Sequence, residues 1–114
     1  MSVMSKLVAA YLAGLIDGDG YLGIVKQKRA TYKNGIMYYA AIKIGMCDKK
    51  IIQWLHQSFG GYFYEREFKD NRRNHYTWTI KNGNVKPIID KIAPYLRVKK
   101  EQGEIIKKFL KTFY

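Results

Sequence analysis

The stretch Leu12-Ala-Gly-Leu-Ile-Asp-Gly-Asp-Gly20 places an apolar helical segment directly before a glycine-rich acidic corner. Apolar residues recur at the three- and four-residue spacing of one helix face, namely Val8, Tyr11, Leu12, Leu15 and Ile16. Gly18 and Gly20 can leave helical geometry without steric cost, so they end the helix. Asp17 and Asp19 then lie at the negative end of the helix dipole, where a bound cation would be favourable. The stretch therefore predicts a short helix whose end suits a cation.

A second face of this helix carries almost no side chains, because it consists of Ala9, Ala10, Ala13 and Gly14. A glycine in a helix interior costs about 1 kcal/mol relative to alanine, so its presence indicates a close packing partner. That partner is either another part of the same domain or the same helix of a second chain.

Residues 12–20 resemble the nine-residue signature of the LAGLIDADG homing endonucleases, with Gly18 in place of the seventh-position alanine. The resemblance extends over most of the chain. It implies a single-motif, homodimeric enzyme that makes site-specific double-strand DNA breaks by Mg²⁺-dependent phosphodiester hydrolysis. Such proteins serve intron or intein mobility.

The charge distribution favours a polyanionic partner. The 114 residues have a formal net charge of +12. Residues 1–20 carry one Lys and two Asp, whereas residues 21–82 carry 12 basic and four acidic residues. The positive excess thus lies outside the acidic helix, where it suits a nucleic acid. A charge that only aids solubility is the weaker explanation.

Length and composition predict one domain, residues 1–114, with one modest core. No apolar run approaches the ~20 residues that a membrane span needs, and Met1–Leu7 lacks the pattern of a secretory signal. The single cysteine, Cys47, has no partner for an internal disulfide, which is typical of a reducing compartment. We therefore expect an intracellular protein without a membrane partner. An organelle and a bacterial or phage origin both remain open.

Hydrophobic periodicity predicts the order α-β-β-α-β-β-α-α. Helices are expected at Leu7–Gly18, Asp48–Phe59, Val85–Leu96 and 100–113. Strands are expected at Tyr21–Lys33, Ile36–Met46, Tyr62–Phe68 and His75–Lys81. The fold class is α+β, a curved four-stranded antiparallel sheet with helices on one face and a basic, aromatic surface on the other. This is also the αββαββα plan that the resemblance implies.

Local signals refine these elements. Asn34-Gly35 predicts a hairpin, because both positions accept positive φ, and Asp48 predicts a helix N-cap. Pro94 should disturb the end of the third helix. The last helix is expected to turn these residues inward: Ile105, Ile106, Phe109, Leu110 and Phe113. Alternation in the central strands directs these residues outward: Tyr39, Ala41, Lys43, His75, Thr77 and Thr79.

The resemblance also implies site residues. Asp19 matches the catalytic metal-binding position, and the carbonyl of Gly18 is a second oxygen ligand suited to Mg²⁺. Lys99 and Gln102 match a lysine and glutamine near the family's active site, and Lys50 matches a basic residue there. Met46 occupies a position where the family often has glutamine, which would hydrogen-bond a water. That departure favours the alternative of a cleavage-inactive DNA- or RNA-binding protein, such as a maturase or repressor.

Outward strand residues and the hairpin tips are expected to contact DNA. They are Tyr21, Val25, Gln27, Arg29, Thr31, Tyr39, Lys43, Tyr64, Arg66, Arg72, Arg73, His75 and Thr77. In the homodimer that the resemblance implies, the motif helices would meet through Ala10, Ala13, Gly14 and Asp17. A third possibility is one half of a larger, two-motif enzyme, which would need a partner chain.

Overall fold

The computed structural model of the chain describes residues 5–31, 33–70 and 73–112, with the side chain of Lys33 outside that description. The helices are α1 Lys6–Asp19, α2 Lys49–Phe59, α3 Val85–Ile92 and α4 Lys100–Lys111. The strands are β1 Gly20–Lys28, β2 Ile36–Met46, β3 Tyr62–Arg66 and β4 His75–Lys81. The strands form one sheet in the order β1-β2-β4-β3. All three pairings are antiparallel, which confirms the predicted four-stranded antiparallel sheet.

Helix α1 runs directly into strand β1. The Ser5 hydroxyl accepts a hydrogen bond from the Val8 amide at 3.1 Å and so caps the start of the helix. At its end the Gly20 amide donates to the Ile16 carbonyl, and residue 20 already belongs to the strand. A Cβ at position 20 would lie 2.7 Å from the Ile16 Cα, so the sharp change of direction requires glycine. The acidic corner is therefore held at the junction of helix and sheet.

The first hairpin turns where predicted but is wider than predicted. Asn34 and Gly35 have φ values of 62° and 71°, which confirms the positive-φ turn. The pairing of β1 with β2 ends at Lys28 and Ile36, so residues 29–35 form the connection. The Arg29 amide donates to the Gly35 carbonyl at 3.0 Å and closes this loop. The prediction that β1 extends to residue 33 is therefore wrong, and Arg29 and Thr31 belong to the loop.

The core lies between one face of the sheet and the helices. Trp78 is completely buried at its centre, and its Nε1 donates to the Gly60 carbonyl at 2.8 Å. Asp48 caps α2 as predicted, accepting from the Ile51 amide at 3.2 Å. Other completely buried side chains include Leu12, Ile16, Ile42, Ile44, Ile52, Leu55, Ile80, Ile88, Ile89, Ile92 and Ile106.

Several predicted details differ from the structure. Strand β3 ends at Arg66 rather than Phe68, and α3 ends at Ile92. A 3₁₀ turn that contains Pro94 follows α3, which confirms the expected disturbance there. Ile105 is 55% exposed, because Gly103, Ile106 and Leu110 form the buried face of α4. Its predicted inward orientation is wrong, and Phe113 lies outside the described residues.

Within residues 5–31, 33–70 and 73–112, no helix is long and apolar enough to cross a membrane. Cys47 is exposed in the short connection between β2 and α2, and it is a free thiol.

Ala41 and Thr79 were predicted to point outward, and both are nevertheless buried. Larger neighbouring side chains therefore cover this middle part of the outer face of the sheet.

Candidate functional site

The two aspartates at the end of α1 have different environments. Asp19 is the last helical residue, and its side chain is exposed. Asp17 instead accepts two backbone hydrogen bonds from the segment before α4. Its Oδ2 accepts from the Arg97 amide at 2.8 Å, and its Oδ1 accepts from the Lys99 amide at 2.9 Å. Asp17 thus links the end of α1 to the segment before α4, whereas Asp19 lies at the surface.

The hydrogen bonds of Asp17 keep its carboxyl group ionised. Partial burial alone would raise the pKa of Asp17, but the amides of residues 97–99 and the positive charge of Lys99 outweigh burial. The pKa therefore lies below its ordinary value of 3.8. A depressed pKa in the folded state adds stability that is complete above the unfolded value and is lost as the pH falls through the folded value.

Lys99 lies at the same corner. Its ammonium donates to the Asp17 carbonyl at 2.8 Å, in a partly buried position. The carbonyls of a last helical turn have no partner within their helix and carry partial negative charge, so this site suits a cation. The Lys99 ammonium is therefore bound to the carbonyl of the residue two positions before Asp19 in the chain.

The other residues predicted around the corner are placed by their elements. Gln102 is exposed in the first turn of α4, and Lys50 is exposed in the first turn of α2. The pairing of Gly20 with Ile44 sets the end of β2 beside the end of α1, so the segment that leads to Lys50 starts near the corner. Their catalytic roles stay predictions.

Met46 occupies the last position of β2 and packs against the core. It is partly buried and lies opposite Tyr76 in the register, on the same side as Ile42 and Ile44. Its thioether is thus in contact with apolar side chains. A glutamine at this position would leave the strand on the same half-buried side as Met46 does.

A divalent cation would find only part of its ligand shell in one chain. Among the described residues, no group of three or more His, Cys, Asp or Glu side chains could hold a metal ion. Asp19 offers one exposed carboxylate beside the Gly18 carbonyl. Mg²⁺ commonly uses one or two protein carboxylates and takes its other oxygens from water and phosphate. The donor set fits such an ion when phosphate oxygens or a second chain complete it.

The outer face of the sheet is a layer of tyrosines interleaved with cations. Pairing aligns Tyr21, Lys43, Thr79 and Tyr62 in one row across the four strands. The Lys43 ammonium lies 5.9 Å from the Tyr21 ring centre. Lys81 lies 5.0 Å from the Tyr39 ring centre and 5.7 Å from that of Tyr62. These distances are typical of cation–π contacts, and they hold the cations at the surface of the sheet.

Most residues predicted to contact DNA lie on this outer face. They are Tyr21, Val25, Gln27, Tyr39, Lys43, Tyr64, Arg66, His75 and Thr77. Arg29 and Thr31 are exposed in the first hairpin loop, Arg73 is exposed in the second, and Arg72 lies outside the described residues. Sequence reasoning missed Lys81 and Tyr62, although the two-residue period through His75 and Tyr64 points to both.

A sequence profile described as LAGLIDADG endonuclease matches residues 12–112. The chain belongs to this family. Solved structures of LAGLIDADG homing endonucleases share its fold, which confirms the predicted αββαββα plan. I-CvuI in complex with its target, in the presence of Ca, superposes with a TM-score of 0.78 at 20% identity, over 93% of this chain and 67% of that one.

Two further LAGLIDADG proteins extend the comparison. The archaeal I-Vdi141I complexed with DNA gives a TM-score of 0.73 at 16% identity, over 93% of this chain and 68% of its own. I-SmaMI bound to cleaved DNA gives 0.72 at 23% identity, over 96% of this chain and only 38% of its own. The present LAGLIDADG chain thus spans about two thirds of the first two proteins and little more than a third of the third.

The family motif forms α1, and only part of its small-residue face is accessible. Ala10 and Gly14 are exposed, and a Cβ at position 14 would have no atom within 4 Å. Ala13 is completely buried, because α1 packs against β2 and α3 of its own chain. The prediction that Ala13 meets a second chain is therefore wrong. Leu7 and Tyr11 are exposed and extend the accessible stripe of the helix.

Proposed function

We propose that this chain is a site-specific homing endonuclease that makes double-strand breaks in DNA as a homodimer. The observation that carries the proposal is the position of Asp19, exposed where the motif helix runs into the first strand of the basic, tyrosine-rich sheet. DNA on the outer face would meet this carboxylate at the edge of the same surface.

Each residue of the corner has a distinct task in this proposal. Asp19 and the Gly18 carbonyl would hold Mg²⁺. The ion would activate water and stabilise the departing oxygen. Lys99 holds a positive charge beside this site. Lys50 and Gln102 orient water and phosphate groups from the flanking helices. The presence of Mg or Ca in neighbouring structures supports a divalent cation.

The number of acidic corners supports the homodimer. One chain offers one Asp19, whereas breaking both strands needs a reaction site for each. Two copies that pair along Ala10 and Gly14 would bring two corners together, because residues without bulky side chains permit close approach of two helices. A dimer of this kind would also join two outer faces into one longer DNA-binding surface.

The outer face supplies recognition. Arg66 and Gln27 carry groups that can pair with base edges, while Arg29 and Arg73 in the loops suit phosphates. The tyrosine layer adds amphipathic contact surface between these groups.

A second candidate function is DNA or RNA binding without cleavage, as in a maturase or repressor. Met46 favours it, because a thioether packed on the core cannot hydrogen-bond a catalytic water as glutamine would.

The short span of this chain relative to I-SmaMI supports a third candidate, one half of a larger enzyme that pairs with a different chain.

Incubation with a randomised duplex library separates these functions. The protein is added with Mg²⁺, and both the bound duplexes and any cut ends are sequenced. The endonuclease proposal expects cut ends that share one sequence with two related half-sites. Enrichment of bound duplexes without cut ends, in Mg²⁺ and in Mn²⁺, would contradict cleavage and support the binding function.

A further inference from the structure

Asp17 and Lys99 form two hydrogen bonds, in which the side chain of each residue binds the backbone of the other. The Asp17 carboxylate accepts from the Lys99 backbone amide at 2.9 Å, and the Asp17 carbonyl accepts from the Lys99 ammonium at 2.8 Å. A third hydrogen bond, from the Arg97 amide, occupies the other carboxylate oxygen at 2.8 Å. The end of α1 is thereby fastened to the start of α4, 82 residues later.

The Asp17 carboxylate binds the residue that precedes the first turn of α4. Lys99 occupies the N-cap position of α4, and no side chain of that segment caps the helix. The amides at a helix start need acceptors, and the helix dipole favours a negative charge there. Asp17, which belongs to a different helix, supplies a negative charge at this helix start and an acceptor for the amide of the N-cap residue Lys99. It therefore determines where α4 begins relative to α1.

The carbonyl restricts the lysine side chain itself. A lysine has a flexible four-carbon stem with many rotamers, so fixing its backbone alone would leave its ammonium free to move. The hydrogen bond to the carbonyl places the charge in the last turn of α1, on the residue two positions before Asp19. Backbone and ammonium of Lys99 are thus both set by one residue.

We propose that Asp17 is a positioning residue that holds Lys99 beside Asp19 for the cleavage reaction. The inference rests on the proposed function, because it takes Lys99 to assist cleavage. Asp17 itself neither touches DNA nor binds the cation in this arrangement. A contact that only stabilises the fold would act on the rate without acting through Lys99, and this difference can be measured.

The first experiment needs no cleavage. Amide hydrogen exchange is measured by NMR in the wild type, in Asp17→Asn, and in the control Asp48→Asn, which makes the same change of charge at the N-cap of α2 instead. Asp17→Asn should speed exchange at the amides of Arg97 and Lys99 by at least about tenfold. Asp48→Asn should leave the exchange rates of these two amides unchanged. Equal exchange in the wild type and Asp17→Asn would overturn the inference.

The second experiment is a double-mutant cycle on single-turnover cleavage of a duplex found in the library screen. Asp17→Asn should lower the rate by roughly 100-fold through misplacement of Lys99, with the Kd for DNA unchanged. The double variant with Lys99→Met should be no slower than Lys99→Met alone. Multiplicative losses, or an equal loss in Asp48→Asn, would overturn it.

Two safeguards keep the results separable. If Asp17→Asn does not fold, Asp17→Glu replaces it, because the charge is kept while the acceptors move by one methylene. If the wild-type protein cuts no duplex, the proposed endonuclease function fails, and the assistance by Lys99 fails with it. The exchange data would then still report whether Asp17 fastens α4 to α1.

Discussion

The ammonium of Lys81 lies 5.0 Å from the centre of the Tyr39 ring, in the middle of the outer face of the sheet. The centre of the Tyr62 ring lies 5.7 Å from the same ammonium. The residue that pairs with Lys81 on the neighbouring strand β2 is the small Ala41. The cation is therefore held between two aromatic rings at the centre of the surface that we propose for DNA.

Replacement of Lys81 should weaken DNA binding in a salt-dependent way. A phosphate contact releases counterions, so Lys81→Gln should reduce the log–log salt slope by about 0.9 and the affinity by roughly fivefold at 0.15 M salt. Fluorescence anisotropy with a labelled duplex at several salt concentrations measures both. Lys91→Gln, at an exposed position of α3, is the matched control and should change neither the salt slope nor the affinity. A loss of equal size there would mean that only net charge matters.

The hydrogen bond from Trp78 to Gly60 should contribute measurably to stability. Trp78→Phe removes the donor, leaves the Gly60 carbonyl without it and shortens a completely buried side chain. We expect a loss of about 2 kcal/mol in the free energy of unfolding, measured by urea denaturation. Trp54→Phe, at a partly exposed indole, should cost less than half as much. Equal losses would show that ring size, rather than the hydrogen bond, sets the cost.

Local patterns were sufficient to predict the order of elements and most of their residues. The two-residue period located β2 and β4. Asp48 caps a helix, Asn34 adopts a positive φ, and Pro94 lies in the turn that follows α3, as their residue types predict. These features depend on neighbours in sequence. The extent of β1 could not be predicted, because the loop of residues 29–35 is closed by a hydrogen bond whose geometry no single residue type determines.

Long-range relationships account for the remaining differences. The small residues of α1 were visible in the sequence, but only the packing of α1 against its own sheet shows that Ala13 is covered and Gly14 is not. The task of Asp17 was equally hidden, since its partners lie 80 and 82 residues away. Lys81, by contrast, follows from alternation and could have been found.

Gly14 offers a test of assembly that separates the dimer from the folded chain. A Cβ at this position would meet no atom within 4 Å apart from the adjacent helical backbone, and replacing glycine within a helix removes a cost of about 1 kcal/mol. Gly14→Leu should therefore keep or raise thermal stability measured under monomeric conditions. It should nevertheless prevent two α1 helices from approaching closely.

Sedimentation at micromolar concentration measures this effect. The wild type should sediment at about twice the chain mass of 13.4 kDa, and Gly14→Leu should sediment as a monomer. Gln57→Leu introduces the same side chain at an exposed position of α2 and should remain dimeric. A wild type that is monomeric with and without DNA would contradict the paired-corner arrangement.

Asp19 should separate catalysis from binding. Asp19→Asn keeps the size of the side chain but removes the charge that a cation requires, so cleavage in Mg²⁺ should be abolished. DNA affinity should be equal or higher, because a carboxylate near phosphates is repulsive. Asp90→Asn, on α3, provides the matched control for the change in charge. Ca²⁺ in place of Mg²⁺ should allow binding without cutting by the wild type, because Ca²⁺ accepts a looser ligand geometry. If Asp19→Asn cut DNA at the wild-type rate, its carboxylate could not be the metal ligand of the reaction.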